Sequence, residues 1–401
     1  MTYTKQDTVI KSTTTAVLSL SHTNNHLPPE LLSKIFSYLP SIAEGTLPFC
    51  HVLPVCKAWY EALIHTPRLW TTIVVHKALF ERYLSDAPSL EAFFKACFIR
   101  SAPCSFELYL ESYELSPVSS PDQKSYGGLL RRIFTFAAKD HMDRLRYFVW
   151  TSSEGAFAQG TELAKAFPSH LPMLEHLSII EDDSSRIGTD HTNLPPFPHS
   201  PKLRSLYWLN NLHSPYVPWL RDADVARIEE FALTNSLEWV DFDVAFIGRF
   251  SGLRILALED DHAEHTGTSW YTYGDRPIAQ LPLLETLVLS GEVPNFILDG
   301  LVVPVLMTLK IQVTRTHTTS LSTIPPAILK VVKNMHVVVK PGSGASVHGA
   351  LRNEWRVQHL KRIIGLSPFL QQVYISSGLL EGLMEIEDLE NSREWTKLVG
   401  I

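Results

Sequence analysis

Apolar strings of the form Leu-x-x-Leu-x-Leu return throughout the last two thirds of this chain, and few architectures can satisfy them. They are Leu145, Phe148, Trp150; Leu174, Leu177, Ile179; Leu203, Leu206, Trp208; Ile228, Phe231, Leu233; Leu253, Leu256, Leu258; Leu284, Leu287, Leu289; Leu306, Leu309, Ile311; and Leu370, Val373, Ile375. Up to Leu306 their first positions lie 22 to 31 residues apart, and polar or proline-containing sequence follows each one. The longer step from Leu306 to Leu370 has room for one more unit, in the degenerate string Met335 to Val339. In an extended strand, alternation sends the last two apolar positions to one side and the residues between them to the other. One such unit cannot bury its apolar side alone, whereas a stack of them can.

This period and pattern mark leucine-rich repeats, in which each unit contributes one short strand and one return segment. The expected fold is α/β, with residues 141–401 forming an irregular leucine-rich-repeat solenoid whose parallel strands line a concave face. In that register His176, Tyr207, Thr234, Glu259, Ser290, Lys310, Gln312 and Tyr374 point outward and form the candidate substrate-binding surface. Two tyrosines among moderately polar neighbours suit a protein or peptide ligand, because aromatic anchors supply much of the energy at such surfaces. The tail from Glu381 to Glu394 carries six acids against one arginine and reads as an acidic cap on the last repeat.

A second signal runs from Leu27 to Ile73. It reads LPPELLSKIFSYLP, then a spacer, then LPVCKAWYEALIHTPRLWTTI. Pro28 and Pro29 suit a first helical turn and Pro40 closes the far end. Leu27, Leu31, Leu32, Ile35, Phe36 and Leu39 then fall on one broad apolar face, and Val55, Trp59, Ala62 and Leu63 repeat helical spacing. Two or three short helices cannot bury so many apolar side chains by themselves, so the surplus should be covered by the rest of the chain and by a partner.

These residues resemble an F-box: the Leu-Pro start, the Ile-Phe pair, Val-Cys followed by Trp, and the closing Leu-Trp occur in order. The resemblance implies docking onto the small Skp-family adaptor of a cullin-RING ubiquitin ligase. It also implies that Leu27, Pro28, Leu31, Ile35, Phe36, Leu39, Leu53, Val55 and Trp59 face that adaptor, with Trp70 tying the module to the rest of the chain. Pro54 departs from the family pattern and predicts a break or a new helix there. Arg100-Ser101-Ala102-Pro103, ahead of a strand over Phe106, Leu108 and Leu110, resembles fungal F-box proteins with degenerate leucine-rich repeats.

The chain thus divides into a flexible leader (1–25), an F-box-like helical module (26–75), a helical linker region (76–140) and the repeats (141–401). Within the linker, His76 to Cys97 reads as one or two helices broken near Pro88, Ser112 to Gly128 as a loop, and Leu129 to Ala138 as a helix. Leu351 to Ile364 is predicted helical, with Gly365 as its stop.

A net charge of −7 without a basic cluster argues against nucleic-acid binding. The four cysteines form no CxxC pair, which fits free thiols in a reducing compartment. The apolar patch from Ala16 to Leu20 is too short for a secretory signal. The most apolar stretch, Phe296 to Val313, contains Asp299, Pro304 and Lys310, so no membrane segment is expected, and the placement is cytoplasmic and/or nuclear.

Glu259-Asp260-Asp261-His262-Ala263-Glu264-His265 is the strongest metal-like cluster, but it follows a strand, where the His-x-x-His spacing does not align two imidazoles. Gly342 to Ser346 lacks the Walker lysine and the nucleophile elbow. No cofactor, metal or catalytic residue is expected, and the chain is not itself an enzyme. The expected function is substrate recognition in an SCF-type (Skp-cullin-F-box) ubiquitin ligase; the alternative is a non-catalytic scaffold or sensor acting without the cullin.

Overall fold

The computed structural model describes residues 27–36, 38, 56–75, 87–112, 121–152, 167–181, 197–210, 220–235, 244–260, 278–291, 293, 295–313, 324–339, 360 and 362–375. The leader, the 262–265 histidines, Gly342 to Ser346 and the acidic tail lie outside these residues.

Thirteen strands are described: β1 (Thr72–Val75), β2 (Phe106–Ser112), β3 (Leu145–Ser152), β4 (His176–Glu181), β5 (Ser205–Asn210), β6 (Glu230–Asn235), β7 (Ile255–Asp260), β8 (Ala279–Gln280), β9 (Thr286–Ser290), β10 (Leu301–Val302), β11 (Thr308–Val313), β12 (Asn334–Val339) and β13 (Gln372–Ile375). Eleven of them form one sheet in chain order, β1 to β7 followed by β9, β11, β12 and β13, while β8 and β10 pair separately. Every pairing is parallel. The last two positions of each expected apolar string fall on one of these strands, and Met335 to Val339 lies in β12.

The register explains the string. Phe148, Leu177, Leu206, Phe231, Leu256, Leu287, Leu309, Met335 and Val373 are successive partners across the sheet, and all are buried. Trp150, Ile179, Trp208, Leu233, Leu258, Leu289, Ile311 and Val337 form the next buried row. The first Leu or Ile of each string, from Leu145 to Leu306, is at most 1% exposed. Side chains of this size stabilise by about 1.5–3 kcal/mol each when buried.

Just before the strands, a second ladder joins the chain to itself. The Glu175 amide donates to the Arg146 carbonyl, Arg204 to Glu175, Glu229 to Arg204, Arg254 to Glu229 and Glu285 to Arg254, all at 2.8–2.9 Å. Met307, Lys333 and Gln371 continue it. These amides and carbonyls are therefore paired before the sheet proper begins.

Consecutive turns approach so closely that one of them requires glycine. A Cβ on Gly252 would lie 2.5 Å from the Ala226 carbonyl oxygen. Gly252→Ala is therefore expected to cost about 1–3 kcal/mol and to lower the melting temperature by several degrees, measured by calorimetry. An unchanged melting temperature would contradict the stacking of these two turns.

Four longer helices precede or flank the first strands: α1 (Pro29–Phe36), α2 (Lys57–Ile64), α3 (Ala87–Arg100) and α4 (Pro121–Asp140). The expected loop from Ser112 to Gly128 is corrected over its second half, because α4 begins at Pro121, where a proline costs a first turn no hydrogen bond. Pro88 sits in the first turn of α3, and residues 76–86 before it lie outside the described residues. The helix around Ile363 runs on through Leu366, one residue past Gly365, whose missing side chain borders open space. Strand β1 was not expected. A β-branched run, Thr72-Ile73-Val74-Val75, leaves the Pro67–Trp70 turn directly into the sheet beside β2.

Arg144 fastens the turn between α3 and β2. Its guanidinium donates to the Phe98 carbonyl at 2.9 Å, to the Ser101 hydroxyl at 3.3 Å and to the Cys104 carbonyl, and lies over the Phe106 ring. On α3, burial pushes the Cys97 thiol up to about 12. With so little thiolate present, Cys97 is expected to resist alkylation at pH 8 in the native protein, while half-buried Cys56 and Cys104 react. Mass spectrometry of the labelled peptides checks this, and labelling of Cys97 at the rate of Cys104 would contradict the packing of α3.

Candidate binding surfaces

Helix α1 carries two apolar stripes. Leu32 and Phe36, each 1% exposed, face Ala62 and Leu63 of α2 and form a small core of their own. Phe36 meets the Trp59 ring edge-on at 5.3 Å. On the other side of α1, Leu31 is 49% exposed and Ile35 47%, and Tyr38 just beyond it is 79% exposed. These three lie at i, i+4 and i+7, which places them in one row on a helical surface. Tyr60 on α2 is also exposed.

The expected adaptor-facing residues therefore separate. Pro28, Leu31 and Ile35 are exposed; Leu27 and Trp59 are partly covered and pack on the module's core. Phe36 is corrected: it is interior, because its ring fills the gap between the two helices. Leu39, Leu53 and Val55 lie outside the described residues. Tyr38 was missed, although its spacing from Leu31 and Ile35 already placed it in their row.

Trp70 joins the module to the larger core. Its Nε1 donates to the Leu63 carbonyl at 2.9 Å, and the Arg100 guanidinium lies 4.7 Å from its ring centroid. Leu69 and Phe93 pack against both cores.

The second surface is the outer face of the sheet, the side opposite the buried rows. Tyr207 shares a hydrogen bond with the Thr234 hydroxyl at 3.3 Å, Thr234 donates to Glu259 Oε2 at 3.2 Å, and Ser290 donates to Glu259 Oε1 at 3.3 Å. Four of the expected substrate-facing residues thus form one network across β5, β6, β7 and β9. Two of them are corrected in role: Thr234 and Ser290 are each only 4% exposed, so they brace the Glu259 carboxylate instead of presenting themselves to a partner. Gln312 is the register partner of Ser290, and Lys310 is exposed.

His176 belongs to an aromatic run at the other end of the face, with Tyr147 at 5.4 Å and Tyr109 at 5.5 Å from Tyr147. Burial, then the Glu107 charge, pushes the Tyr109 hydroxyl up to about 12, so it stays protonated and donates to Glu107 at 3.2 Å. Tyr374, 52% exposed, stacks on His336 at 4.6 Å. Burial, then Lys310, lowers the His336 pKa and favours its neutral ring. Glu107, Tyr109, Tyr147, Glu230 and His336 were missed as surface residues, although alternation with their buried neighbours places them on this face.

Among the described residues, no cluster of three or more histidine, cysteine, aspartate or glutamate side chains could hold a metal ion, and no helix is long and apolar enough to cross a membrane. The reactive-looking segment after β7 lies outside them from residue 261 onward. No curated protein matches the chain. Residues 24–76, which contain α1, α2, the Pro67–Trp70 turn and β1, match the F-box-like family.

Proposed function

We propose that this chain is the substrate-recognition subunit of an SCF-type ubiquitin ligase, acting in the cytoplasm and/or nucleus. The observation that carries the proposal is an F-box-like match over residues 24–76 coinciding with an exposed apolar row at Leu31, Ile35 and Tyr38. An apolar row on a helix, with its opposite stripe already buried, suits a groove on a partner. In this reading it docks a Skp-family adaptor, and through it a cullin-RING ligase.

The parallel strands in chain order support a leucine-rich-repeat solenoid, whose units contact only their neighbours and together present an extended face. That face would hold a protein substrate. The chain would perform no chemistry, and its contribution would be proximity between target and ubiquitin-loaded enzyme.

The test is assembly from purified full-length chain, Skp-family adaptor and cullin. Recruitment of the cullin only when the adaptor is present is the expected result. Capture of the adaptor without the cullin would overturn the ligase role and leave a scaffold acting without it.

A further inference from the structure

We infer that the outer face of the sheet between β2 and β9 takes a basic polypeptide segment and rejects a phosphorylated one. This rests on the substrate-holding role proposed above and names the chemistry of what is held.

The face carries Glu107, Glu230 and Glu259; the nearest cations, Arg146, Arg204 and Arg254 at the starts of β3, β5 and β7, are paired with Glu175, Glu229 and Glu285, and Lys310 on β11 is the next. Two of these acids flank a pair of small side chains. Ala232 and Ala257 are register partners at mid-height, and neither is buried. Glu230 lies two residues before Ala232 on the same face and Glu259 two residues after Ala257, each roughly 7 Å along its strand. Tyr207, the partner of Ala232 on the neighbouring strand, walls one side.

A floor of two methyl groups between carboxylates, beside a phenol ring, fits the stem of an arginine or lysine whose charged head reaches Glu259. Thr234 and Ser290 already hold that carboxylate in place, so little side-chain freedom is lost when a cation arrives. The aromatic run of Tyr109, Tyr147 and His176 offers anchors for the uncharged residues of the same segment. A phosphate group here would meet carboxylates, and the guanidiniums at the strand starts are already held by Glu175, Glu229 and Glu285.

The test is fluorescence anisotropy with the full chain and a labelled peptide of about twelve residues alternating arginine and leucine, beside the same peptide with phosphoserine in place of arginine. The arginine peptide is expected to bind, more weakly as salt rises, and the phosphoserine peptide not to bind. Glu230→Gln combined with Glu259→Gln is expected to weaken binding about tenfold or more. Glutamine accepts from one of the two hydroxyls through its carbonyl oxygen and donates to the oxygen of the other through its amide, so both contacts remain with one reversed. Asp140→Asn with Asp143→Asn removes the same charge from exposed positions at the end of α4 and in the turn that follows, and should change affinity less than about twofold.

Equal effects of the two double variants, tighter binding of the phosphoserine peptide, or no binding of either would overturn the inference. The adaptor is offered to the same preparation. A chain that captures the adaptor but ignores the arginine peptide loses this inference alone; one that binds the peptide but not the adaptor loses the receptor role while the basic-segment preference stands.

Discussion

Leu31→Ala combined with Ile35→Ala is expected to weaken adaptor binding by about a hundredfold or more while the melting temperature barely moves. Both side chains are about half exposed, so truncating them opens no cavity, and alanine is the better helix former. In the proposed docking the same two residues would be apolar anchors on one helix row, and losing such a pair would cost a few kcal/mol of binding. Isothermal titration calorimetry with purified adaptor, alongside thermal unfolding, separates the two quantities. Unchanged affinity would remove the α1 row from the docking surface, and a melting temperature lowered by more than about 10 °C would make these residues core.

Phe36→Ala has the opposite signature. Its ring is 1% exposed and packs edge-on against Trp59, so truncation costs about 3–5 kcal/mol in transfer and cavity terms. The core it serves contains only Leu32, Phe36, Ala62 and Leu63 as fully buried members among the described residues, which leaves little to absorb the loss. The module is expected to open locally while the sheet persists. Hydrogen exchange should therefore quicken by about two orders of magnitude or more in α1 and α2 and stay unchanged in β4 to β9. Adaptor binding falls in this variant too, but as a consequence of unfolding. Uniform acceleration through the whole chain would mean that the module and the sheet open as one unit.

The contrast between Ile35 and Phe36 also shows where the sequence stops being informative. Periodicity put both on one broad apolar face of α1, and nothing in the spacing says which edge of that face turns toward α2. Trp59 decides it, through a contact with a residue more than twenty positions away. Periodicity was a better guide in the strands of the sheet. An alternation of period two leaves one choice of face, and one buried face fixes it for every strand. Thr234 and Ser290 were placed on the correct side but given the wrong role, because small hydroxyl residues beside Glu259 are covered by the network that they themselves make.

A legible signal also went unread. The residue after the first apolar position of the first six strings reads Arg146, Glu175, Arg204, Glu229, Arg254, Glu285, alternating in sign from one strand to the next. In the fold these six become the ion pairs Arg146–Glu175, Arg204–Glu229 and Arg254–Glu285 along one edge of the sheet. Solvent-exposed pairs of this kind add little stability. Their alternation disfavours placing like charges side by side, so it supports one order of strands. Strand β1 and the start of α4 went unseen for a different reason: Thr72 to Val75 directly follows a helical module, and Pro121 stands in sequence of loop-like composition.

Co-expression of the full chain with a Skp-family adaptor, followed by size-exclusion chromatography with light scattering, bears most directly on whether the F-box-like module is a docking element. A stable one-to-one complex, lost when residues 24–76 are removed and weakened by Leu31→Ala with Ile35→Ala, is the predicted result. A folded chain that elutes alone beside free adaptor would contradict it and leave the module as a structural cap on the sheet.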